Sequence, residues 1–541
     1  MNFINTTLRQ AVPYSRGQLL LRWPSGLLFL LAWLINMSLG YKLSVLETVG
    51  FFCCLSLLQR LSWRAFKYTL LLCSVVAACY FPFGRTYGAP NFNSVLSLYS
   101  SNPGEAAEIL RVFPLWYYLV SLSILGGVAL LLKQSVRVFP RWSMHHSALL
   151  VLFLAISLWT PLSVFYSKGS FSLLHVSYPV VRFVKDLTLI NMTVHAEHER
   201  MQELATLQDD WHVVAAKPAH QVYVLVIGES ARRDALGAFG GHWKNTPFMS
   251  HANGVLFQNY LAAASSTQQS LGLTLTLAGN DGQPQYQNSI VTLAKRAGFK
   301  TYWLSNQGQL GRYDTAIASI AKRADKTHFM KDGNFFSQDT QDMDLLKFTD
   351  EALSEKFDGP KLIVYHLIGS HPKACERTHH RYETFVNNEE VSCYLYSITQ
   401  TDQFLAALNQ QLKDSGQSFS MIYFSDHGLS FKERGTRSEY LSHNDQFQQN
   451  YQVPLFMTSS TSKHRRRIQA KRSANDFMAL FAQWSGIRSQ EVEPKYRFIS
   501  EQVAPPIHVT DFTLSRVDYS KLPQDPFVVS RSNHSSQIAR H

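Results

Sequence analysis

Acidic residues are scarce in the first third of this sequence, where residues 1–167 contain only Glu47, Glu105 and Glu108. The same stretch is rich in Leu, Phe, Trp and Val, whereas residues 168–541 have the mixed composition of a water-soluble domain. The chain also lacks a helix-turn-helix, a zinc-finger or an RNP-like pattern. The net charge of +12 therefore does not indicate a nucleic-acid partner, because much of the basic excess lies beside apolar stretches.

Cysteine is rare in the soluble part of the chain, where only Cys375 and Cys393 occur. The other four lie in apolar stretches, in which cysteine is simply a small hydrophobic residue: Cys53, Cys54, Cys73 and Cys79. The lack of a C-x-x-C spacing argues against a metal site built from Cys375 and Cys393. Two cysteines alone in an oxidising compartment are expected to form a disulfide, so Cys375 and Cys393 are a disulfide candidate, and two buried thiols are the alternative.

Five uncharged or nearly uncharged stretches are long enough to cross a bilayer, which takes about 20 residues. The predicted spans are 24–41, 43–59, 68–84, 112–132 and 147–167. The second is the weakest because it contains Glu47. A signal peptide is the alternative for the first, but no small-residue cleavage site follows it. We therefore expect a five-helix transmembrane domain over residues 1–167.

Basic residues predict how this domain is oriented. They concentrate in the N-terminal segment and in the loops after the second and fourth spans, and none of these segments contains an acid: Arg9, Arg16, Arg22, Arg60, Arg64, Lys67, Lys133, Arg137 and Arg141. By the positive-inside rule these segments are cytoplasmic. An odd number of spans then puts everything after residue 167 on the far side, which is the periplasm in a Gram-negative cell.

The rest of the chain is predicted to form a connector, residues 168–220, and a periplasmic domain, residues 221–541. In that domain apolar strand patterns alternate with helical patterns. The strands are expected at 222–227, 300–304, 362–367 and 419–425, and the helices at 288–297, 313–323, 342–356 and 394–413. This alternation predicts an α/β fold with a mainly parallel sheet.

The stretch around Glu229 is the first candidate for a site. Residues 222–227 are apolar, Gly228 breaks the strand, and Glu229 follows at its carboxyl end, where open α/β sheets place functional residues. A helix is expected to begin near Ala231, with Ser230 as its N-cap. We interpret Glu229 as a metal ligand, and a solvated loop acid is the alternative.

Two further segments supply matching chemistry. Asp426 and His427 directly follow the strand 419–425, and a carboxylate beside an imidazole suits Zn²⁺. Thr267 lies in the polar turn 264–270, ahead of a helical pattern. A helix N-terminus favours a phosphate, and metal coordination lowers the pKa of a hydroxyl nucleophile. A Ser/Thr-rich loop is the simpler alternative for this turn.

Three histidines are expected near the same edge of the sheet. His366 lies at the end of the strand 362–367, His371 follows in a loop, and His443 comes later in the chain. A single histidine of this kind is more often structural than functional. Because the strand ends bring Glu, Asp and several His residues to one edge, their convergence predicts an active site.

The combined pattern resembles the membrane-bound phosphoethanolamine transferases of Gram-negative bacteria, within the alkaline phosphatase and sulfatase superfamily. The resemblance rests on the GES turn, a Thr-x-x-Ser segment, the tandem Asp-His and the HLIGSH segment, and it covers nearly the whole chain. It implies zinc ligands at Glu229, Thr267, Asp426 and His427, with Thr267 also the nucleophile, and phosphate, second-zinc or proton-relay residues at His366, His371 and His443.

The chain departs from the better-known members of that family, which modify lipid A. Those members have a cysteine pair around the nucleophile, and this chain has none there. Their lysine, expected near 309–312, has no clear match, and Gln309 or Arg312 is the candidate substitute. The segments GAPNFN and ALGAFGGHWKNTPF look most like the subgroup implicated in decorating osmoregulated periplasmic glucans.

The resemblance implies a two-step transfer of phosphoethanolamine from phosphatidylethanolamine to Thr267 and then to a periplasmic glycan, expected to be osmoregulated periplasmic glucan. The alternatives are the same reaction on lipid A or the lipopolysaccharide core, and a membrane-anchored phosphodiesterase or sulfatase-like hydrolase. The sulfatase motif S/C-x-P-x-R is absent near 260–275, which counts against the hydrolase. We expect a monomeric, multi-pass inner-membrane enzyme with no nucleic-acid partner.

Overall fold

The computed structural model describes residues 16–42, 44–91, 94–95, 110–111, 113–133, 144–168, 178–279, 281–308, 316–331, 340–436 and 439–527. The chain divides into two compact units. The helical unit comprises residues 1–90 and 113–190, and the sheet unit comprises residues 91–112 and 191–541. The division between Ile190 and Asn191 falls inside the predicted connector.

Six described helices begin in the helical unit: α1 (Arg16–Ser38), α2 (Val45–Leu61), α3 (Trp63–Tyr87), α4 (Leu115–Lys133), α5 (Met144–Lys168) and α6 (Pro179–Thr206). The first five overlap the five predicted spans in order. Among the described residues, α3 and α4 are long and apolar enough to cross a membrane, while α1 and α5 contain shorter apolar stretches, Pro24–Ser38 and Ser147–Ser163. Crossing by all five helices therefore remains a prediction.

The helical unit has apolar side chains both inside and outside. Leu31, Leu55 and Phe66 are buried where the helices pack together. On the outside, Leu115 is 74% exposed and Leu72 is 66% exposed. Extensive exposed apolar surface is rare on water-soluble monomers, whereas helices that meet lipid have it on their outer faces.

The strands of the sheet unit are, in chain order, β1 (Val213–Ala216), β2 (Val222–Gly228), β3 (Gly254–Phe257), β4 (Tyr260–Leu261), β5 (Thr276–Ala278), β6 (Pro284–Ser289), β7 (Lys300–Gly308), β8 (Lys326–Lys331), β9 (Lys361–His366), β10 (Phe419–Ser425), β11 (Ser430–Lys432), β12 (Tyr440–Ser442), β13 (Gln452–Val453), β14 (Leu455–Ser459), β15 (Arg465–Ile468), β16 (Arg472–Ser473), β17 (Ile487–Ser489), β18 (His508–Thr510) and β19 (Arg516–Asp518). Its α-helices are α7 (Pro247–His251), α8 (Thr267–Leu275), α9 (Ile290–Arg296), α10 (Ala316–Ala321), α11 (Thr349–Ser354), α12 (Ala374–Arg377), α13 (Glu389–Asp414) and α14 (Phe477–Ser485). The predicted helix 342–356 begins instead as a 3₁₀ stretch, Asp342–Phe348, that leads into α11.

Eight strands form one central sheet in the order β15-β3-β14-β10-β2-β9-β7-β8. The run from β10 to β8 is parallel throughout, whereas β14 pairs antiparallel with both of its neighbours. The sheet is therefore mixed but mostly parallel, which confirms the predicted α/β fold. Every residue of β2 is buried, as expected for a parallel strand that is covered on both faces.

The carboxyl ends of β2, β9 and β10 lie level with one another at one edge of the sheet. Gly228 pairs with Ser425, and Ile227 pairs with His366. Alternate residues of β2 enter the two apolar clusters that cover the two faces of the sheet. The sheet therefore holds these strand ends rigidly, and the residues that follow them emerge side by side.

The two cysteines of the sheet unit, Cys375 and Cys393, are bonded to each other. The disulfide joins α12 to α13 across a sequence separation of 18 residues. The structure thus has the disulfide rather than the two buried thiols. It ties the segment that follows His371 to the helix that supports the turn after Glu229.

Candidate active site

Glu229 leaves β2 in a tight turn that buries its side chain, so that the residue is only 1% exposed. Its Oε1 atom accepts a hydrogen bond from the Ser230 hydroxyl at 2.8 Å. Ser230 has φ +58°, a left-handed conformation, whereas an N-cap is typically extended. The predicted N-cap is therefore wrong, and the next helical turn is a short 3₁₀ stretch, Arg233–Ala235. Ser230 instead orients Glu229.

Residues far away in the sequence hold this turn in place. Tyr394 on α13 donates its hydroxyl to the Ser230 carbonyl at 2.8 Å and accepts the Arg232 amide at 2.9 Å. The fully buried Arg232 guanidinium pairs with a neighbouring carboxylate and donates to the backbone carbonyl of Asp525 at 2.6 Å. Because a buried charge needs such partners, the end of the described chain stabilises the turn that holds Glu229.

Asp426 and His427 leave β10 beside this turn. Asp426 Oδ1 accepts the backbone N–H groups of Ser230 at 2.9 Å and of His427 at 2.7 Å, while its Oδ2 is buried with no hydrogen-bond partner among the described residues. His427 Nδ1 lies 2.9 Å from the Gly428 carbonyl. A carbonyl can only accept, so Nδ1 is the donor, and Nε2 is the ring atom available to a cation.

Thr267 begins α8 and places its hydroxyl in the same space. Its Oγ1 lies 3.1 Å from Glu229 Oε2 and 3.3 Å from His427 Nε2. One turn later, Ser270 donates its hydroxyl to the Asp426 carbonyl at 2.6 Å, which ties α8 to the end of β10. The N-terminus of α8, whose N–H groups and dipole favour an anion, therefore lies at the cluster.

The electrostatics of this cluster favour an added positive charge. Burial and the Glu229 carboxylate raise the pKa of Asp426 to about 7. Burial lowers the pKa of His427, but the carboxylates of Asp426 and Glu229 outweigh it and raise this pKa to about 9. Burial also opposes ionisation of Glu229, yet the hydrogen bond and charge of His427 lower its pKa. A proton on His427 therefore neutralises the charge of one carboxylate, and a divalent cation would neutralise the charges of both Glu229 and Asp426.

The donor set fits Zn²⁺. Glu229, Asp426 and His427 each offer one ligand atom, and these atoms lie within 4.8 Å of one another. Carboxylate oxygen and imidazole nitrogen are common zinc ligands, and the Thr267 hydroxyl would complete a set of four. The Oδ2 atom of Asp426, which accepts no hydrogen bond among the described residues and lies 3.4 Å from His427 Nε2, is the kind of buried polar atom that a bound cation satisfies. The structure thus brings together the four residues predicted to bind zinc.

The three predicted histidines lie around this cluster. The ring of His443 is centred 4.9 Å from that of His427 and 5.8 Å from that of His371, and His371, His443 and Glu229 have ligand atoms within 4.8 Å of one another. His366 is buried, and its Nε2 has no hydrogen-bond partner among the described residues. Burial lowers the pKa of His366 to about 4 and that of His443 well below its usual value. Both are therefore neutral at pH 7.

Sequence reasoning missed Gln307, which lies near the end of β7. Its Nε2 donates to the Leu367 carbonyl at 2.9 Å and lies 3.4 Å from Glu229 Oε2. The strand was expected to stop at residue 304, but it runs on to Gly308. The only available signal was a set of polar residues after an apolar strand. Gln309 and Arg312, the candidate substitutes for the family lysine, lie outside the described residues.

Asp342 was also missed, because it fell at the start of a predicted helix. Its two carboxylate oxygens accept the backbone N–H groups of Ile368 and Gly369, each at 2.9 Å. The same loop packs on Glu229 so closely that a Cβ atom at Gly369 would lie 2.9 Å from the Glu229 nitrogen. Asp342 therefore sets the position of the loop between His366 and His371.

The fold and the site define the class of protein. Residues 221–487 match the Sulfatase family model. The integral membrane protein lipooligosaccharide phosphoethanolamine transferase A (EptA) from Neisseria meningitidis shares the fold, with a TM-score of 0.59 and 18% identity over 87% of this chain and 97% of that one. The chain is thus a sulfatase-like α/β protein with an N-terminal helical region.

Relatives in sequence then show the family. Phosphoethanolamine transferase OpgE of Escherichia coli (strain K12) is 51% identical over 97% of this chain and 99% of that protein. A putative phosphoethanolamine transferase of Haemophilus influenzae is 32% identical over 68% of this chain and 75% of that protein. This chain belongs to the phosphoethanolamine transferase family, which confirms the resemblance predicted from its motifs.

Proposed function

We propose that this enzyme transfers phosphoethanolamine from phosphatidylethanolamine to a periplasmic glycan, with osmoregulated periplasmic glucan as the acceptor. The observation that supports this mechanism most directly is the position of the Thr267 hydroxyl, 3.1 Å from Glu229 Oε2 and 3.3 Å from His427 Nε2 at a helix N-terminus. The choice of acceptor is supported by the 51% identity with OpgE over nearly the whole chain. The segments GAPNFN and ALGAFGGHWKNTPF also support it.

In the first step the Thr267 oxygen attacks the phosphorus atom of the donor. The bond between Oγ1 and phosphorus forms, and the bond from phosphorus to the diacylglycerol oxygen breaks. Zinc held by Glu229, Asp426 and His427 would lower the pKa of the hydroxyl and neutralise charge on the phosphoryl oxygens. The phosphoethanolamine group remains on Thr267.

Proton transfers complete the reaction. The hydroxyl proton of Thr267 passes to solvent water before its oxygen attacks, and the departing diacylglycerol oxygen takes a proton from His371 in its protonated form, since the neighbouring His443 is neutral at pH 7. In the second step an acceptor hydroxyl attacks the phosphothreonine, and the same histidine, now neutral, accepts its proton. Thr267 then leaves as an alkoxide, which takes back a proton from solvent water. We assign the phosphate-holding role to the buried His366.

We also propose that α1–α5 cross the inner membrane, with the N-terminus in the cytoplasm and the sheet unit in the periplasm. The basic segments of the sequence and the exposed leucines of the helical unit support this orientation. The donor lipid leaves a bilayer only at high cost, so a membrane-bound enzyme brings the site to its head group. The oxidising periplasm suits the Cys375–Cys393 disulfide, and we expect the enzyme to act as a monomer.

The test is mass spectrometry of periplasmic glucans and lipid A from cells that lack the protein, express it, or express Thr267→Ala. A phosphoethanolamine increment on glucan that requires both the protein and Thr267 is the expected result. The same increment on lipid A or core sugars would keep the mechanism and change the acceptor. Release of free phosphoethanolamine with no modified glycan would instead favour the hydrolase.

A further inference from the structure

We propose that Gln307 is a positioning residue that fixes the orientation of the Glu229 carboxylate, an inference that rests on the proposed function. Its Nε2 atom lies between two acceptors, the Leu367 carbonyl at 2.9 Å and Glu229 Oε2 at 3.4 Å. Because both neighbours can only accept, the atom that faces them must be the amide nitrogen, which has two protons to donate. Gln307 therefore connects the ends of β2, β7 and β9.

The carboxylate of Glu229 is held from both sides. The Ser230 hydroxyl donates to Oε1 at 2.8 Å. The Gln307 amide nitrogen lies 3.4 Å from the other oxygen, Oε2. Oε1 is also the oxygen that lies 3.4 Å from His427 Nε2. With both oxygens engaged, the carboxylate plane is fixed, and Oε1 is kept on the side of His427. Donors of this kind orient metal ligands and raise metal affinity.

The point to which Gln307 is attached is itself rigid. Leu367 is followed by Ile368 and Gly369, whose N–H groups are both held by the carboxylate of Asp342. Asn306, next to Gln307, donates its side-chain amide to Asp342 Oδ1 at 2.8 Å. The amide of Gln307 is thus aimed at Glu229 by a framework that contains none of the proposed zinc ligands.

The experiment uses the full-length protein in detergent and measures zinc affinity by competition with a chelator. We expect Gln307→Ala and Gln307→Asn to bind zinc about tenfold or more weakly than wild type, the loss typical of outer-shell partners of a metal ligand. Asn is one methylene too short to reach both acceptors, and it keeps an amide in case the Ala variant folds poorly. Gln410→Ala is the control, because Gln410 Nε2 also donates to a carboxylate, that of Asp414 at 2.8 Å, but on the exposed face of α13.

A second measurement separates positioning from general loss of structure. In the cobalt-substituted protein, a Glu229 carboxylate released from Gln307 is free to bind through both oxygens, so the visible absorption of the variants should weaken and shift relative to wild type and Gln410→Ala. Unchanged affinity together with an unchanged spectrum in both Gln307 variants would overturn this inference alone. Failure of the wild-type protein to bind zinc would overturn the metal site of the proposed function as well.

Discussion

The two units of this molecule use burial in opposite ways. In the helical unit, large apolar side chains such as Leu115 and Leu72 lie on the outside, 74% and 66% exposed. In the sheet unit, charged side chains are inside: Glu229 and Asp426 are each 1% exposed, and Arg232 is 0% exposed. An exposed leucine costs nothing where the solvent is lipid. A buried carboxylate is tolerated only where partners or a cation compensate its charge. The buried carboxylates therefore indicate where the candidate active site lies.

The largest expected effect comes from removing the reacting group of the sheet unit. Thr267→Ala should lower phosphoethanolamine transfer by about a thousandfold or more, in line with the loss of a catalytic nucleophile. Mass spectrometry of the acceptor glycan measures it. Thr267→Ser keeps a hydroxyl at the same place and should retain transfer. Full transfer by the Ala variant would mean that another group is the nucleophile.

The next prediction tests whether the outside of the helical unit faces lipid. Leu122 on α4 is 63% exposed, and Leu122→Arg should disfavour insertion by about 3 kcal/mol if it lies near the middle of a membrane span. Yield in the membrane fraction is the measurement. Val503→Arg, at an 87% exposed position of the sheet unit, should change stability by less than about 0.5 kcal/mol. Equal tolerance of both changes would contradict a lipid-facing surface.

A third prediction concerns the neutral histidine inside the sheet unit. His366 has a folded-state pKa of about 4 against an ordinary value of 6.5, so its contribution to stability is present above pH 6.5 and is lost as the pH falls towards 4. At pH 5 the loss is about 2 kcal/mol. Thermal unfolding in detergent between pH 7 and 5 should show a shallower decline for His366→Gln than for wild type. His464→Gln, at an exposed position, is the control for exchanging a histidine for a glutamine.

The smallest effect is expected from removing a serine hydroxyl that donates to a backbone carbonyl, and such a bond occurs in each unit. Ser270→Ala removes a buried hydrogen bond to the Asp426 carbonyl and should lower stability by about 1 kcal/mol and transfer by about tenfold, since α8 then holds Thr267 less precisely. Ser123 on α4 donates to the Leu119 carbonyl at 2.7 Å on an exposed face. Ser123→Ala should leave both the melting temperature and transfer unchanged. Equal losses of stability and transfer in the two variants would contradict a specific role of Ser270 in positioning α8.

The strands and most of the site could be predicted because they depend on local patterns. An apolar run in β2, followed by Gly228 and Glu229, indicates a strand that ends at a site. The neighbouring strand β10 has the same pattern, because Asp426 and His427 directly follow it. Ser230 was misassigned because its left-handed φ is imposed by contacts with Tyr394 and Asp426, which lie more than 160 residues away in sequence.

Gln307 escaped prediction for a related reason. Its role depends on a side-chain contact with a residue 78 positions earlier, and nothing in its neighbourhood distinguishes it from an ordinary strand-end amide. Asp342 likewise acts on a loop 26 to 27 residues later. Hydrogen bonds made across the fold leave no periodicity in the sequence, so they appear only once the strand ends are placed beside one another.

The contact between Arg232 and Asp525 spans 293 residues, and it has a consequence for how the enzyme is made. Synthesis proceeds from the N-terminus, so the helical unit and the residues of the turn after Glu229 are made long before residue 525. Until then the Arg232 guanidinium lacks one of the partners that hold it in the core. A mature active site is therefore a late event in the biosynthesis of this protein, and a chain truncated before Asp525 should reach the membrane yet remain immature.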